Sequence, residues 1–181
     1  RLADAGAGAY LAMRNGVLLA VGLALLLLQG VIARLVPTEY VVPSLVMPMV
    51  LTMSVGDFSL VRGMSLSFVL GYLTDVGAGG SMGLWTFTLM SMFLLARVAG
   101  LKLFLHGVLF QMLLSFLAMV AAGLEMMALV LVFDRRPLAM GAALGVVLAQ
   151  GVATAVCAPW VFALVRRLPG VSAPRPDEAA A

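Results

Sequence analysis

PLAMGAALGVVLAQGVATAVCAPWVFALV, residues 137–165, runs for 29 residues without a charge. A helix rises ~1.5 Å per residue and the hydrocarbon of a bilayer is ~30 Å thick, so ~20 apolar residues suffice to cross it. Working back from this stretch, charge-free runs recur at 15–33, 40–56, 63–74, 76–96 and 103–124. The chain therefore reads as a polytopic membrane protein.

Composition points the same way. Hydrophobic residues make up 64% of the chain and charged ones 10%, against roughly 45–50% and 25% in soluble domains. A water-soluble core is excluded, and 181 residues leave no room for a large soluble domain beside the spans. The expected organisation is one transmembrane domain over residues 1–168 and a polar, disordered cytoplasmic tail, PGVSAPRPDEAAA, over 169–181. The net charge of +3 carries no nucleic-acid signal. The eleven basic residues are spread singly or in adjacent pairs, mostly over span ends, as membrane orientation requires, whereas a nucleic-acid surface would cluster them. A single cysteine, Cys157, rules out an intrachain disulfide and a cysteine-built metal site, and reads as a small packing residue. The first apolar run exceeds the ~7–15 residues of a signal-peptide core and is followed by Arg34, so a retained span is expected. The chain starts at Arg1, which leaves room for residues upstream.

Six helices are expected, over 14–36, 41–56, 59–76, 82–101, 104–132 and 138–166. The third has only 12 charge-free residues, between Arg62 and Asp75. Thirteen steps of ~1.5 Å separate these two charges by about 20 Å along the axis, so each must reach an interface or a partner on another element. Turn chemistry marks the breaks at Pro37-Thr38, Gly56-Asp57, Gly77-Ala78-Gly79-Gly80 and Asp134-Arg135-Arg136-Pro137. Pro43 and Pro48 in the second span and Pro159 in the sixth predict kinks, tolerated where neighbouring helices satisfy the freed carbonyls. With the N-terminus inside, Arg1, Arg14, Arg62, Arg97, Lys102, Arg166, Arg167 and Arg175 are cytoplasmic and only Arg34, Arg135 and Arg136 lie outside. This bias favours both termini in the cytoplasm. Tyr40 and Trp85 then fall at outer ends and Trp160 near an inner end, as interfacial aromatics should.

Two sets of residues could carry function. The first consists of small side chains. Gly63, Ser67, Gly71 and Asp75 repeat every fourth residue on the third span, as do Gly141, Gly145, Ala149 and Ala153 on the sixth. Such faces let two backbones approach and gain dispersion contacts that lipid does not match. Internal packing and docking of another protein's transmembrane helix both need this groove. The second set is polar groups at membrane depth: Gln29, Gln111, Glu125 and Gln150. Each should face the bundle interior, water or a partner. Glu125 is the deepest acid, and a single acid is a thin basis for an ion pathway.

No catalytic machinery is visible. The only histidine, His106, falls at a predicted helix end, and no HExxH, P-loop or GxSxG pattern occurs. The glycines at 77–80 lack the strand and helix of a nucleotide site.

From Arg62 the chain reads RGMSLSFVLGYLTDVGAGGSMGLWTF, which resembles the signature region of the bacterial rod shape-determining protein MreD family. Arg62, Gly63, Phe68, Gly71, Asp75, Gly79, Gly83 and Leu84 match that pattern by position. LLLLQG at 25–30, ending on Gln29 and Gly30, and APWVFALVRRL at 158–168 are also similar to the family. Ser67 stands where a glycine is usual and Tyr72 where an aliphatic residue is usual. The resemblance implies a non-enzymatic inner-membrane scaffold without a cofactor, working in peptidoglycan synthesis along the side wall. It also implies association with the bitopic protein MreC, and through it with the filament protein MreB, a SEDS glycosyltransferase and a class B penicillin-binding protein, all within membrane lipid. It further implies a fold similar to the substrate-binding subunits of energy-coupling-factor vitamin transporters. That likeness supplies an alternative function, a transporter subunit with a ligand cavity lined by some of Gln29, Trp85, Glu125 and Gln150. A carrier or channel built on Glu125 is a third.

Overall fold

The computed structural model describes residues 2–35, 42–55, 58–78, 83–99, 107–133 and 140–168. The tail at 169–181, Tyr40, Gly79, His106 and most of the expected turn residues lie outside these segments. The described residues form six helices: α1 (Leu2–Leu35), α2 (Val46–Val55), α3 (Leu60–Ala78), α4 (Leu84–Val98), α5 (Val108–Phe133) and α6 (Met140–Arg166).

Three stretches are long and apolar enough to cross a membrane: Asn15–Leu35 of α1, Val108–Phe133 of α5 and Gly141–Arg166 of α6. Only 17% of the apolar window in α1, and the same share in α5, is buried inside the protein. Many of the others, including Leu27, Val31, Leu109, Leu117 and Val132, face outward. A soluble fold does not leave so much contiguous apolar surface in water, so this surface belongs against lipid. The chain is an all-helical membrane protein.

The core forms around α2, all ten residues of which are buried. This helix touches each of the other five. Met47, Met49, Val50 and Met53 are fully enclosed, with Phe58, Leu70, Phe93, Phe162 and Val165 packed about them. A helix apolar on every side has no solvent face to offer and belongs at the centre.

The expected second span, 41–56, is corrected by the structure. The helix occupies only Val46–Val55, after a non-helical approach at 42–45. Proline explains the boundary. Pro43 restrains its predecessor to extended backbone, and Pro48 falls in the first turn of α2, where its missing N–H would have no intrahelical partner anyway. The kinks expected inside this span are therefore a late helix start, whereas Pro159 lies well inside α6. Non-helical backbone at this depth must be satisfied by protein. Ser44 N–H donates to Thr154 Oγ1 of α6 at 2.9 Å, and Leu45 N–H donates to Gln29 Oε1 of α1 at 3.1 Å. Side chains from two other helices thus cap α2. In the other direction, α1 begins 12 residues before the expected start at 14. The segment at 2–12 holds five alanines, which offset Gly6 and Gly8, and no proline to stop the helix.

Candidate functional site

The residues of the Arg62–Leu84 pattern converge on the contact between α3 and α4. Ser59 begins α3: its carbonyl accepts Gly63 N–H at 3.0 Å and its hydroxyl lies 3.4 Å from Arg62 N. Arg62, one position before Gly63, is half-buried. Its Nε–H donates to Asn15 Oδ1 of α1, and its guanidinium lies 4.9 Å from the centre of the Phe58 ring. The charge is thereby held by an amide and an aromatic face at one end of the bundle.

Gly63 and Gly71 permit the close approach of the two helices. A Cβ at Gly63 would fall 2.1 Å from the Phe93 ring, and one at Gly71 would fall 2.5 Å from the Cα of Thr86. The second obstacle is backbone, so no rotamer change can relieve it. Ser67, between them, is fully buried, and its hydroxyl finds no hydrogen-bond partner among the described residues.

Asp75 completes the face. It is 3% exposed and its carboxylate accepts four hydrogen bonds from the start of α4. Gly83 N–H, Thr86 N–H and the Thr86 hydroxyl reach Oδ2 at 3.0, 3.0 and 2.6 Å, and Trp85 N–H reaches Oδ1 at 2.9 Å. These amides are among the donors a helix leaves unpaired at its N-terminus, where a negative charge also meets the positive end of the helix dipole. Gly83 makes the geometry possible, since its φ of +96° turns the chain into α4 in a conformation that side chains disfavour. Asp75 is thus an N-cap supplied by a neighbouring helix.

Other predicted residues are placed differently. Phe68 is exposed instead of packed in the α3–α4 contact. Gly141 and Gly145 are exposed, and a Cβ at either would meet nothing within 4 Å. Packing between α5 and α6 runs instead through Gly123 against Val147 and Gly151 against Phe116. The four polar groups are dispersed. Gln29 caps α2, Gln111 is buried in the first turn of α5, and Gln150 is half-buried on α6. Glu125 Oε2 accepts the Ser91 hydroxyl at 2.7 Å, tying α5 to α4. Asn15, Thr86 and Thr154 were not singled out by the sequence reading. Only Asn15, a lone amide at the head of an apolar run, carried a local signal, because the other two act through neighbours distant in the chain. No group of three or more histidine, cysteine or acidic residues gathers among the described residues in a way that could hold a metal ion.

No curated protein and no solved structure matches the chain. The family model for the rod shape-determining protein MreD matches residues 13–168, from the first apolar run through the end of α6. That family is non-enzymatic, which agrees with a signature region devoted to helix contacts and capping. With the Arg62–Leu84 pattern folded into one α3–α4 contact and the match extending over most of its length, the chain belongs to the MreD family of membrane proteins that determine rod shape.

Proposed function

We propose that this protein is a scaffold of the bacterial inner membrane that holds the transmembrane segment of MreC against its helix bundle and so helps position the side-wall peptidoglycan machinery. MreB, a SEDS glycosyltransferase and a class B penicillin-binding protein join through that complex. The transmembrane domain covers residues 1–168 and crosses the membrane six times, with both ends and the tail at 169–181 in the cytoplasm.

Lengths support two crossings beyond the three long apolar helices. Four residues of extended chain at ~3.3 Å and ten helical ones at ~1.5 Å carry the segment from Val42 through α2 over about 28 Å. The 19 residues of α3 reach a similar length. The six-helix count is also what the likeness to energy-coupling-factor subunits would require.

The observation that carries the scaffold reading is the contrast between two small-residue faces. Gly63, Ser67 and Gly71 are buried against α4, whereas Gly141 and Gly145 are open. An open face of this kind at membrane depth suits a partner helix. Co-purification from native membranes tests it: Gly141→Leu with Gly145→Leu should lose MreC while the bundle itself is retained. A variant that still recovers MreC fully would contradict the reading. The transporter-subunit alternative needs its polar groups around one cavity. Gln29 and Glu125 instead bind different elements, and the groove that Gln29 lines includes none of Trp85, Glu125 and Gln150.

A further inference from the structure

The helices α1 and α3 are joined at one end and part at the other. Near the start of α3 they are linked by Arg62 and Asn15. Further along, Gly22 lies so close to Leu70 that a Cβ there would fall 2.4 Å from its side chain. Beyond this contact they diverge, and a groove of about 570 Å³ opens between the second half of α1 and the last turns of α3, with Val42 of the approach to α2 also lining it. Its walls are mainly apolar, with Leu23, Leu27, Val31 and Leu73 prominent, while Gln29, Arg34 and Thr74 contribute polar groups. Among the described residues, no acidic side chain lines it.

We infer that this groove seats one acyl chain of an anionic phospholipid, with the lipid headgroup at Arg34. Three features of the site fix the occupant. The neighbouring surface of α1 and α3, including Leu28, Leu35, Tyr72 and Val76, is exposed and faces lipid, so lipid is the medium into which the groove opens. From Leu23 to Arg34 the groove follows α1 for about 16 Å, roughly the depth of one leaflet. Arg34 lies in the last turn of α1, where a long cationic side chain reaches the interface and meets the headgroup layer. The Gly22–Leu70 contact closes the deep end and limits the occupant to a chain lying along α1. Volumes of roughly 300–1,000 Å³ are usual for small-molecule sites, and this one falls within that range. The inference does not depend on which partner the bundle holds, so its failure would leave the scaffold reading standing.

Native mass spectrometry of the full chain in non-ionic detergent, titrated with phosphatidylglycerol or phosphatidylcholine, tests it. The wild type should retain one phosphatidylglycerol in preference to phosphatidylcholine. Arg34→Gln should reduce that preference about fivefold, the effect of one cationic side chain at a membrane surface. Gly30→Phe and Gly77→Phe fill the groove from opposite walls at positions where a Cβ meets nothing within 4 Å. At least one should keep the wild-type thermal midpoint, and any that does should lose the retained lipid. Equal retention of the two lipids, undiminished retention in a filled variant, or retention of a polyprenyl-linked species in place of phosphatidylglycerol would overturn the assignment.

Discussion

Asp75 Oδ2 accepts both the backbone N–H and the hydroxyl of Thr86, at 3.0 and 2.6 Å, so an acid near the end of α3 begins α4. The relationship gives the signature a physical meaning. Glycine at 71 lets the backbone of Thr86 approach, glycine at 83 turns the chain, and the carboxylate satisfies the donors thereby brought within reach. Each element depends on the others.

Replacing Asp75 with alanine leaves those donors unpaired at a buried helix end. The expected cost is roughly 2–4 kcal/mol, and amide hydrogen exchange should be fastest to reveal it. Exchange at Gly83, Trp85 and Thr86 should accelerate in Asp75→Ala, with Asp75→Asn intermediate because one acceptor oxygen survives. Unchanged protection at all three amides would remove the cap from the account.

Glycine substitutions should sort by what a Cβ would meet. Gly71→Ala, against backbone, and Gly63→Ala, against the enclosed Phe93 ring, should each destabilise by about 1–3 kcal/mol through overpacking. Gly16→Ala, at an open position of α1, should be neutral or stabilising by up to about 1 kcal/mol. Denaturant titration of the purified variants measures the order, and a Gly71→Ala protein as stable as Gly16→Ala would contradict the close approach.

Much of this was legible in the sequence, and the limits have physical causes. The charge-free runs and the breaks between them located all six helices, with α3, α4 and α6 within three residues of their observed bounds, because backbone in an apolar medium must pair its own polar groups and does so as helix. The role of Asp75 was legible only in outline. Its charge calls for an interface or a partner on another element, and the partner is the start of α4, whose donors lie eight to eleven residues later and become neighbours only in the folded contact. Gln29 was read as part of a polar cavity for the same reason, although its oxygen caps the start of α2. Prolines 43 and 48 signalled irregular backbone correctly, but whether proline kinks a helix or delays its start depends on where capping groups from Thr154 and Gln29 lie.

Gly83→Ala should cost about 1–2 kcal/mol, since the residue must keep a left-handed backbone at the head of α4. Asparagine tolerates that conformation better, so Gly83→Asn should recover part of the loss. Equal thermal midpoints for wild type and Gly83→Ala would mean that the turn can adopt another conformation.

Glu125→Gln keeps a side-chain oxygen that can accept the Ser91 hydroxyl, and the change in stability should stay within about 1 kcal/mol. Rod shape and growth should be retained. Loss of shape in a variant of normal stability would instead point to a carboxyl group used for ion movement.

The central claim is that the Arg62–Leu84 pattern holds α3 and α4 together inside the bundle, independently of any partner. The most direct measurement is the thermal midpoint of the full chain purified without partners, for wild type, Asp75→Ala and Gly71→Leu, alongside rod-shape complementation. Both variants should melt at least about 5 °C below the wild type, a shift matching a loss of a few kcal/mol in a chain of this size, and fail to restore rod shape. Wild-type midpoints together with lost rod shape would contradict it, because the same residues would then be acting on a partner instead of on the fold.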